Sequence, residues 1–390
     1  MSPPTALPRI ALLGDPDDRR AHMLQSALAR LGRPPAALLS WAELLQGRPL
    51  ASILTPDTLL RVDSPGPGLD VHRLLLARGA AAMAREPGER LSGLQAAALP
   101  DDGSGLRFAR QRHLGLLDAL RDLEDQLGPH AIATPTPADV ALMCDKALCH
   151  AHLDAAGLQV APALRPEGGA PWTAEGLRSA MDARNISRSF IKLKHGSSAA
   201  GVAALDRGQD QEALVTTVAM SGGEVFSALR LRRYTERRQI DAVLGWLFGE
   251  GAHVERWMPK ARVEGREFDL RVVVMAGRAR HVVARVSGGG PMTNLHLGNA
   301  RGDLEAARSA IGEAAWAESL ALAERAAGAF PETLCVGIDL MQVDEGGALT
   351  PTLIEVNAFG DLLPGVTWRG MDTYEAWAAA STGWFAARRG

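Results

Sequence analysis

Residues 335–343, CVGIDLMQV, and 351–360, PTLIEVNAFG, decide how this 390-residue chain is read. Both are short and mostly apolar, and Gly346-Gly347 lies between them. A β-hairpin is therefore expected, with strands 335–343 and 352–357. Side chains alternate along a strand, so Leu353, Glu355 and Asn357 fall on one face and Thr352, Ile354 and Val356 on the other. With the turn centred near 347–348, Asp339 comes to within about one residue of lying opposite Glu355. Two carboxylates and an amide oxygen on one face suit a hard cation such as Mg²⁺, and the absence of soft ligands argues against zinc or copper. A solvated sheet face would carry the same residues, so the hairpin alone leaves both readings open.

Working towards the N-terminus, EFDLR at 267–271 precedes a second expected hairpin, strands 270–276 and 280–287 around Gly277-Arg278. Asp269 and Arg271 share a face, and Arg271 and Arg285 stand on its two arms. Two arginines beside carboxylates can bind the anion that forms in phosphoryl transfer, although a sheet Arg–Asp pair would look the same. Asn294 and His296 follow in TNLHLGN. Further upstream, SFIKLK at 189–194 alternates so that Ile191 and Leu193 oppose Phe190, Lys192 and Lys194. The small-residue loop HGSSAAG comes next, at 195–201. Such a loop lets backbone amides close over phosphate oxygens while lysine neutralises their charge, yet ordinary hairpins carry glycine turns too. Only four of the 42 basic residues are lysine: Lys146, Lys192, Lys194 and Lys260. A compact ammonium retained in an arginine-rich chain suggests a phosphate contact, with coding bias as the alternative.

The rest of the chain sets the frame. RIALL at 9–13, a Gly14-Asp15-Pro16 turn and a helix at 18–32 open an α/β domain with a parallel sheet, without GxGxxG or GxxxxGK[ST]. Residues 62–69 read as a loop, 71–127 as mostly helical, and a boundary is expected at Gly128-Pro129 before a strand at 131–133. Thr136-Pro137-Ala138-Asp139 starts a helix expected to run to Gly157, and 303–329 is a further helix. Arg230, Arg232, Arg233, Arg237 and Arg238 are read as a solvated helix face, with substrate docking as the alternative. The formal charge of -3 disfavours nucleic acid as a partner. Three cysteines without a CxxC pair, no signal-like start and no long apolar run give a cytoplasmic expectation, with no membrane.

Taken in order, Asp145-Lys146, FIKLKHGSSAAGV at 190–202, ERWM at 255–258, FDLRVVV at 268–274, ARVS at 284–287, TNLHLGN at 293–299, GIDLM at 337–341 and LIEVNAFG at 353–360 resemble the ATP-grasp superfamily. The likeness spans about 132–367 and is nearest to the ribosomal-protein glutamate ligase and glutathione synthetase branch, within an uncharacterised bacterial group. It implies an α/β fold with α+β lobes. An N-terminal Rossmann-like pre-ATP-grasp domain would occupy 1–130, a first lobe with the glycine-rich loop 131–255, and a second lobe with the metal site and C-terminal helices 256–390. It implies ATP and Mg²⁺ as cofactors. Lys146, Lys192, Lys194, Gly196, Ser197, Ser198 and Gly201 would contact phosphates. Glu255, Arg256, Trp257 and Met258 would form the adenine hinge, and Asp269 would bind ribose. Arg271, Arg285, Asn294 and His296 would be catalytic, and Asp339, Glu355 and Asn357 would hold the metal. The reaction implied is a carboxylate–amine ligation through an acyl phosphate, on small-molecule or peptide substrates. A kinase acting on a hydroxyl or a non-catalytic ATP-binding module remains the alternative, and a homo-oligomer is left open. The sequence departs from the usual Asn-x-x-Pro-Gly: it has Asn357-Ala358-Phe359-Gly360, with Pro364-Gly365 arriving later. The mobile loop also has Ala199-Ala200 where a further glycine is common.

Overall fold

The structure is a computed structural model, and it describes residues 7–86, 88–100, 106–128, 131–208, 211–221 and 224–389. Its N-terminal layer comprises β1 (Arg9–Gly14), α1 (Arg19–Arg30), β2 (Ala37–Ser40), α2 (Trp41–Leu45), β3 (Thr58–Val62), α3 (Leu69–Met83), α4 (Gly93–Ala97), α5 (Ala109–Leu127) and β4 (Ile132–Thr134). The four strands pair in parallel in the order β2-β1-β3-β4. Strands β1 and β3 are near-continuous apolar runs because helices cover both faces of such a sheet. The expected boundary falls at Gly128, the C-cap of α5, while Pro129 lies outside the described residues, as do residues 1–6. Strand β4 completes this sheet, which therefore runs four residues past 130, to Thr134.

Next come α6 (Pro137–Met143), α7 (Lys146–Ala155), β5 (Ala163–Leu164), α8 (Ala174–Asp182), β6 (Arg188–Leu193), β7 (Val202–Arg207), β8 (Glu212–Ser221), β9 (Glu224–Tyr234), α9 (Arg237–Glu250) and β10 (Ala252–Arg256). The helix expected over 136–157 is in fact two. Asp145 takes an extended backbone and its side chain accepts from the amides of Ala147 and Leu148, restarting the chain as α7. That break aims Lys146 away from the first helix. The arginine-rich segment is also corrected: Arg230, Arg232 and Arg233 lie on the edge strand β9, and only Arg237 and Arg238 open a helix. Charge along an edge strand reads like charge along a helix face when no apolar alternation is left to fix the period.

The third sheet is built from β11 (Arg262–Val263), β12 (Arg266–Met275), β13 (Arg278–Val286), β14 (Ala300–Arg301), β15 (Cys335–Glu345) and β16 (Ala348–Asn357), with α10 (Leu304–Gly328) against it and α11 (Thr373–Arg389) closing the chain. Both expected hairpins form, and Asp339 pairs directly with Glu355. A bulge then intervenes. Leu340 pairs with Leu353, which leaves Ile354 as the extra residue. Leu353 therefore turns into the core while Ile354 faces the same cleft as Glu355 and Asn357, which corrects the face assignment. Helix α11 buries Tyr374, Trp377, Trp384 and Phe385 against Ala21, Leu24 and Leu28 of α1, so the C-terminus locks onto the N-terminal layer. Among the described residues no helix is long and apolar enough to cross a membrane.

Candidate active site

Residues 256–261 cross from β10 to the third sheet. The chain is pinned by the Arg256 amide donating to Pro162 and the Ala261 amide donating to Gln342 (both 2.8 Å). Between the second and third sheets, and roofed by the N-terminal layer, lies a cleft of about 1060 Å³. Of the residues the sequence singled out, Lys146, Lys192, Gly196, Ser197, Ser198, Glu255, Arg256, Met258, Asp269, Arg271, Arg285, Asn294, His296, Asp339, Glu355 and Asn357 line it. Lys194, Gly201 and Trp257 do not. Lys194 falls just after β6, and its backbone ties Lys146 to Gly251. Trp257 instead packs at a tilt of 48° against Phe190 and lies under the Arg188 guanidinium. Lys260, which the resemblance left without a role, is buried in the cleft wall with its ammonium 3.4 Å from Asp269 and 3.2 Å from the Thr293 hydroxyl.

The loop 195–201 is held by geometry as much as by composition. At Gly201 φ is +67°, and a Cβ there would lie 2.2 Å from Leu193 Cδ1, so any other residue must displace the Leu193 side chain and take a strained left-handed backbone. Ser198 and Ala199 also adopt left-handed backbones, which costs L-residues about 1 kcal/mol each. The substitution of alanine for glycine here thus stores strain in the loop.

Charged pairs cover the cleft walls. Lys192 pairs with Glu255, which is also 3.3 Å from His253. Arg285 donates from Nε to Asp269 (2.7 Å) and lies 3.2 Å from Asp339. Arg271 grips Asp339 through Nε and Nη2 and donates from Nη1 to Gly360 O (3.1 Å). Lys146 pairs with Glu355. The cross-strand register dictates two of these partners, since Asp269 stands opposite Arg285 and Arg271 opposite Asp339. Burial opposes ionisation of Glu255, but Lys192 and His253 together outweigh it and hold the carboxyl at about 2. Asp339 is likewise driven down against its burial by Arg271 and then Arg285. Asn357 donates from Nδ2 to Gly337 O (3.4 Å), which leaves its amide oxygen as the cleft-facing acceptor. His296 is exposed at the rim, and Asn294 starts the short turn Leu295–Leu297.

The departure after Asn357 now has a physical account. Gly337 and Gly360 meet backbone to backbone: a Cβ on Gly337 would lie 2.5 Å from Gly360 Cα. Arg20 donates to Phe359 O (2.9 Å), and Asp361 is clamped by Arg20 (3.1 Å) and Arg61 (2.7 Å). The loop is thus fixed by ion pairs from the N-terminal layer in place of a proline. Sequence reasoning missed this network, because Arg61 and Asp361 are 300 positions apart.

It also missed His113 and His195, whose rings stack at 3.8 Å beside Asp145. One potential ligand atom from each residue falls within 4.8 Å of the others, but rings only 10° from parallel cannot both point at one ion. Burial and then His195 push His113 down to about 3. Burial pushes His195 down to about 4, opposed by the ring's hydrogen bond to the Cys144 backbone carbonyl. Both therefore stay neutral in the fold well below 6.5, where the unfolded chain takes up protons, so stability falls as pH drops from 6.5 towards 4. We expect each to cost about 2 kcal/mol between pH 7 and pH 5. Denaturant melts of His113→Gln and His195→Gln at the two pH values check this: each variant should lose that share of the drop, and an unchanged drop would contradict it.

No protein-family model matches the chain, and no curated protein matches it. Solved structures do. D-cycloserine synthetase DcsG is 16% identical with a TM-score of 0.56, covering 96% of this chain and 99% of its own. The ATP-grasp ligase PsnB complexed with minimal precursor is 15% identical with a TM-score of 0.51, covering 97% and 100%. D-alanine–D-alanine ligase from Bacillus anthracis complexed with ATP is 10% identical with a TM-score of 0.51, covering 98% and 100%. The likeness spans nearly the whole chain, N-terminal layer included, and it establishes the architecture: the chain has the ATP-grasp fold.

Proposed function

With that fold as the premise, we propose that the protein is an ATP-dependent carboxylate–amine ligase. The observation that carries this reading is the pairing on the cleft walls. Lys146 with Glu355, Lys192 with Glu255, and Arg271 and Arg285 with Asp339 and Asp269 place each cation against a carboxylate. Nucleotide phosphates and a divalent cation would exchange these partners, the phosphates taking the lysines and arginines and the cation taking carboxylates. Oxygen ligands alone, from Asp339, Glu355 and Asn357, fit magnesium, which when bound supplies charge neutralisation at the phosphates.

In this reading a substrate carboxylate oxygen attacks the γ-phosphorus of ATP, the bond to the bridging oxygen breaks, and ADP leaves. An amine then attacks the acyl carbon, phosphate departs with the bonding pair, and the amine proton passes to solvent. Lys146 and Lys192 hold phosphates, Arg271 and Arg285 neutralise charge that grows in transfer, and loop 195–201 covers the site from water. Asn294 and His296, on the segment over the cleft mouth, are placed to meet the acyl group or the amine. The hinge at Glu255–Met258 reads adenine through its backbone, and Asp269 is the ribose-side acid.

The test is ADP release over pairs of carboxylates and amines, with hydroxylamine as a trap. A hydroxamate formed with ATP and a carboxylate supports the ligase. A stable phosphate ester with no hydroxamate would make the protein a kinase. Lys192→Met should weaken ATP binding about 10–10²-fold, the worth of a charge-assisted contact in a water-poor cleft. Lys194→Met serves as the control, since Lys194 lies off the cleft. Equal, small effects at both positions in a binding titration would remove the phosphate role from Lys192.

A further inference from the structure

The cleft continues beyond the charged pairs into the N-terminal layer, where the ligase chemistry uses no residue. In the order β2-β1-β3-β4, the chain leaves β1 to one side and returns to β3 on the other. The loops at the carboxyl ends of β1 and β3 therefore diverge, and open parallel sheets take ligands in such a crevice. Here Asp18 and Arg20 follow β1, Ser64 and Gly66 follow β3, and all four line the cleft. Arg112, on the first turn of α5, closes the crevice by donating from Nη2 to Gly66 O (3.2 Å).

Arg112 is unlike its neighbours. Arg20 is paired with Asp361, and Arg61 with Asp63 and Asp361. Among the described residues Arg112 has no carboxylate partner. Burial pushes its guanidinium down, and Cys144 alone opposes that. Arg33 and Arg280 also lack carboxylates, but neither lines the cleft, and Arg301 lines it without one but is exposed and donates to Pro364 O (2.7 Å). Arg33 donates to the oxygens of Ala378, Ser381 and Pro8, and Arg280 donates to Ala376 O and stacks on Trp368. A guanidinium offers five N–H donors in a planar fork, and Arg112 spends one of them on Gly66. A shielded cation with an unfilled fork, facing a ligand cleft at a sheet switch point, has the chemistry of a carboxylate receptor.

We propose that Arg112 binds the carboxylate of a small substrate in the crevice between β1 and β3. Calling that ligand a substrate rests on the ligase reading. The carboxyl to be activated lies at Arg271 and Arg285, so the substrate class is a molecule with a second anionic end: a dicarboxylate, acidic amino acids included.

The experiment is thermal unfolding of the full chain without ATP, for wild type, Arg112→Met and Arg112→Gln. Malonate, succinate, glutarate, glutamate and inorganic phosphate are each compared with chloride at matched ionic strength. At least one carboxylate should raise the wild-type Tm by about 2 °C or more, and neither variant should respond. In chloride both variants should melt no lower than wild type, because a neutral side chain removes a cation that burial disfavours and that has no carboxylate partner among the described residues. Three results would overturn the proposal: equal shifts in all three proteins, no shift of wild type with any carboxylate, or variants that melt lower without any anion dependence. A shift with phosphate alone overturns the carboxylate assignment. ADP release is scored separately, so a carboxylate shift without any ligation would sink the ligase reading and leave the subsite standing.

Discussion

Glu355→Gln is expected to cut magnesium-dependent ADP release by about 10²–10³-fold while the protein stays folded. Glutamine keeps the shape of the side chain and removes its charge. The proposed site holds its cation through only three protein groups, so the loss of one ionised ligand falls directly on the metal. The Glu355 side chain is 29% exposed and, like its partner Lys146, lines the open cleft, so the fold tolerates the change. Asp339→Asn should behave differently. Asp339 is buried and answers both Arg271 and Arg285. Asparagine there removes activity and also leaves two shielded cations poorly matched, a loss of about 3–5 kcal/mol in stability. Activity and melting temperature measured on the same samples separate these effects. Near-normal ADP release by both variants at ordinary magnesium levels would remove the metal assignment.

Arg285→Lys is expected to lower kcat by about 10²-fold with a smaller change in ATP binding. Arg285 spans two buried carboxylates, giving Nε to Asp269 and Nη2 to Asp339. Lysine retains the charge but cannot reach both at once, so it preserves much of the pairing and loses the fork. Alanine is the poorer test, since it would strand Asp269 and Asp339 and unfold part of the sheet. If Arg285 only braced the sheet, the lysine variant would melt lower and turn over normally per folded molecule. A depressed kcat with a nearly native melting temperature supports a role in stabilising charge during transfer.

How much of this was readable in the sequence depends on sequence distance. The pairing of Asp339 with Glu355 was legible because alternation and a short Gly-Gly turn leave little freedom of register. The bulge at Ile354 was not, because a single inserted residue changes no composition. Arg271 and Arg285 were assigned to one hairpin correctly, yet their carboxylate partners come from the register of three strands together. The scarcity of lysine points at the cleft but does not rank the four, and Lys260, given no role by the resemblance, is inside while Lys194 is not. Nothing local announces that a buried Asp63–Arg61–Asp361–Arg20 chain fixes the loop after Asn357, or that His113 meets His195. Those contacts exist only once α1, β3 and α5 pack over the cleft.

The most direct measurement of the central claim is a calorimetric titration of ATP into the wild-type protein and into Glu355→Gln, each with and without Mg²⁺. The account predicts one site on the wild type whose affinity rises about 10-fold or more with magnesium, and loss of that magnesium gain in Glu355→Gln. No ATP binding by the wild type, or equal affinity with and without magnesium in both proteins, would contradict it.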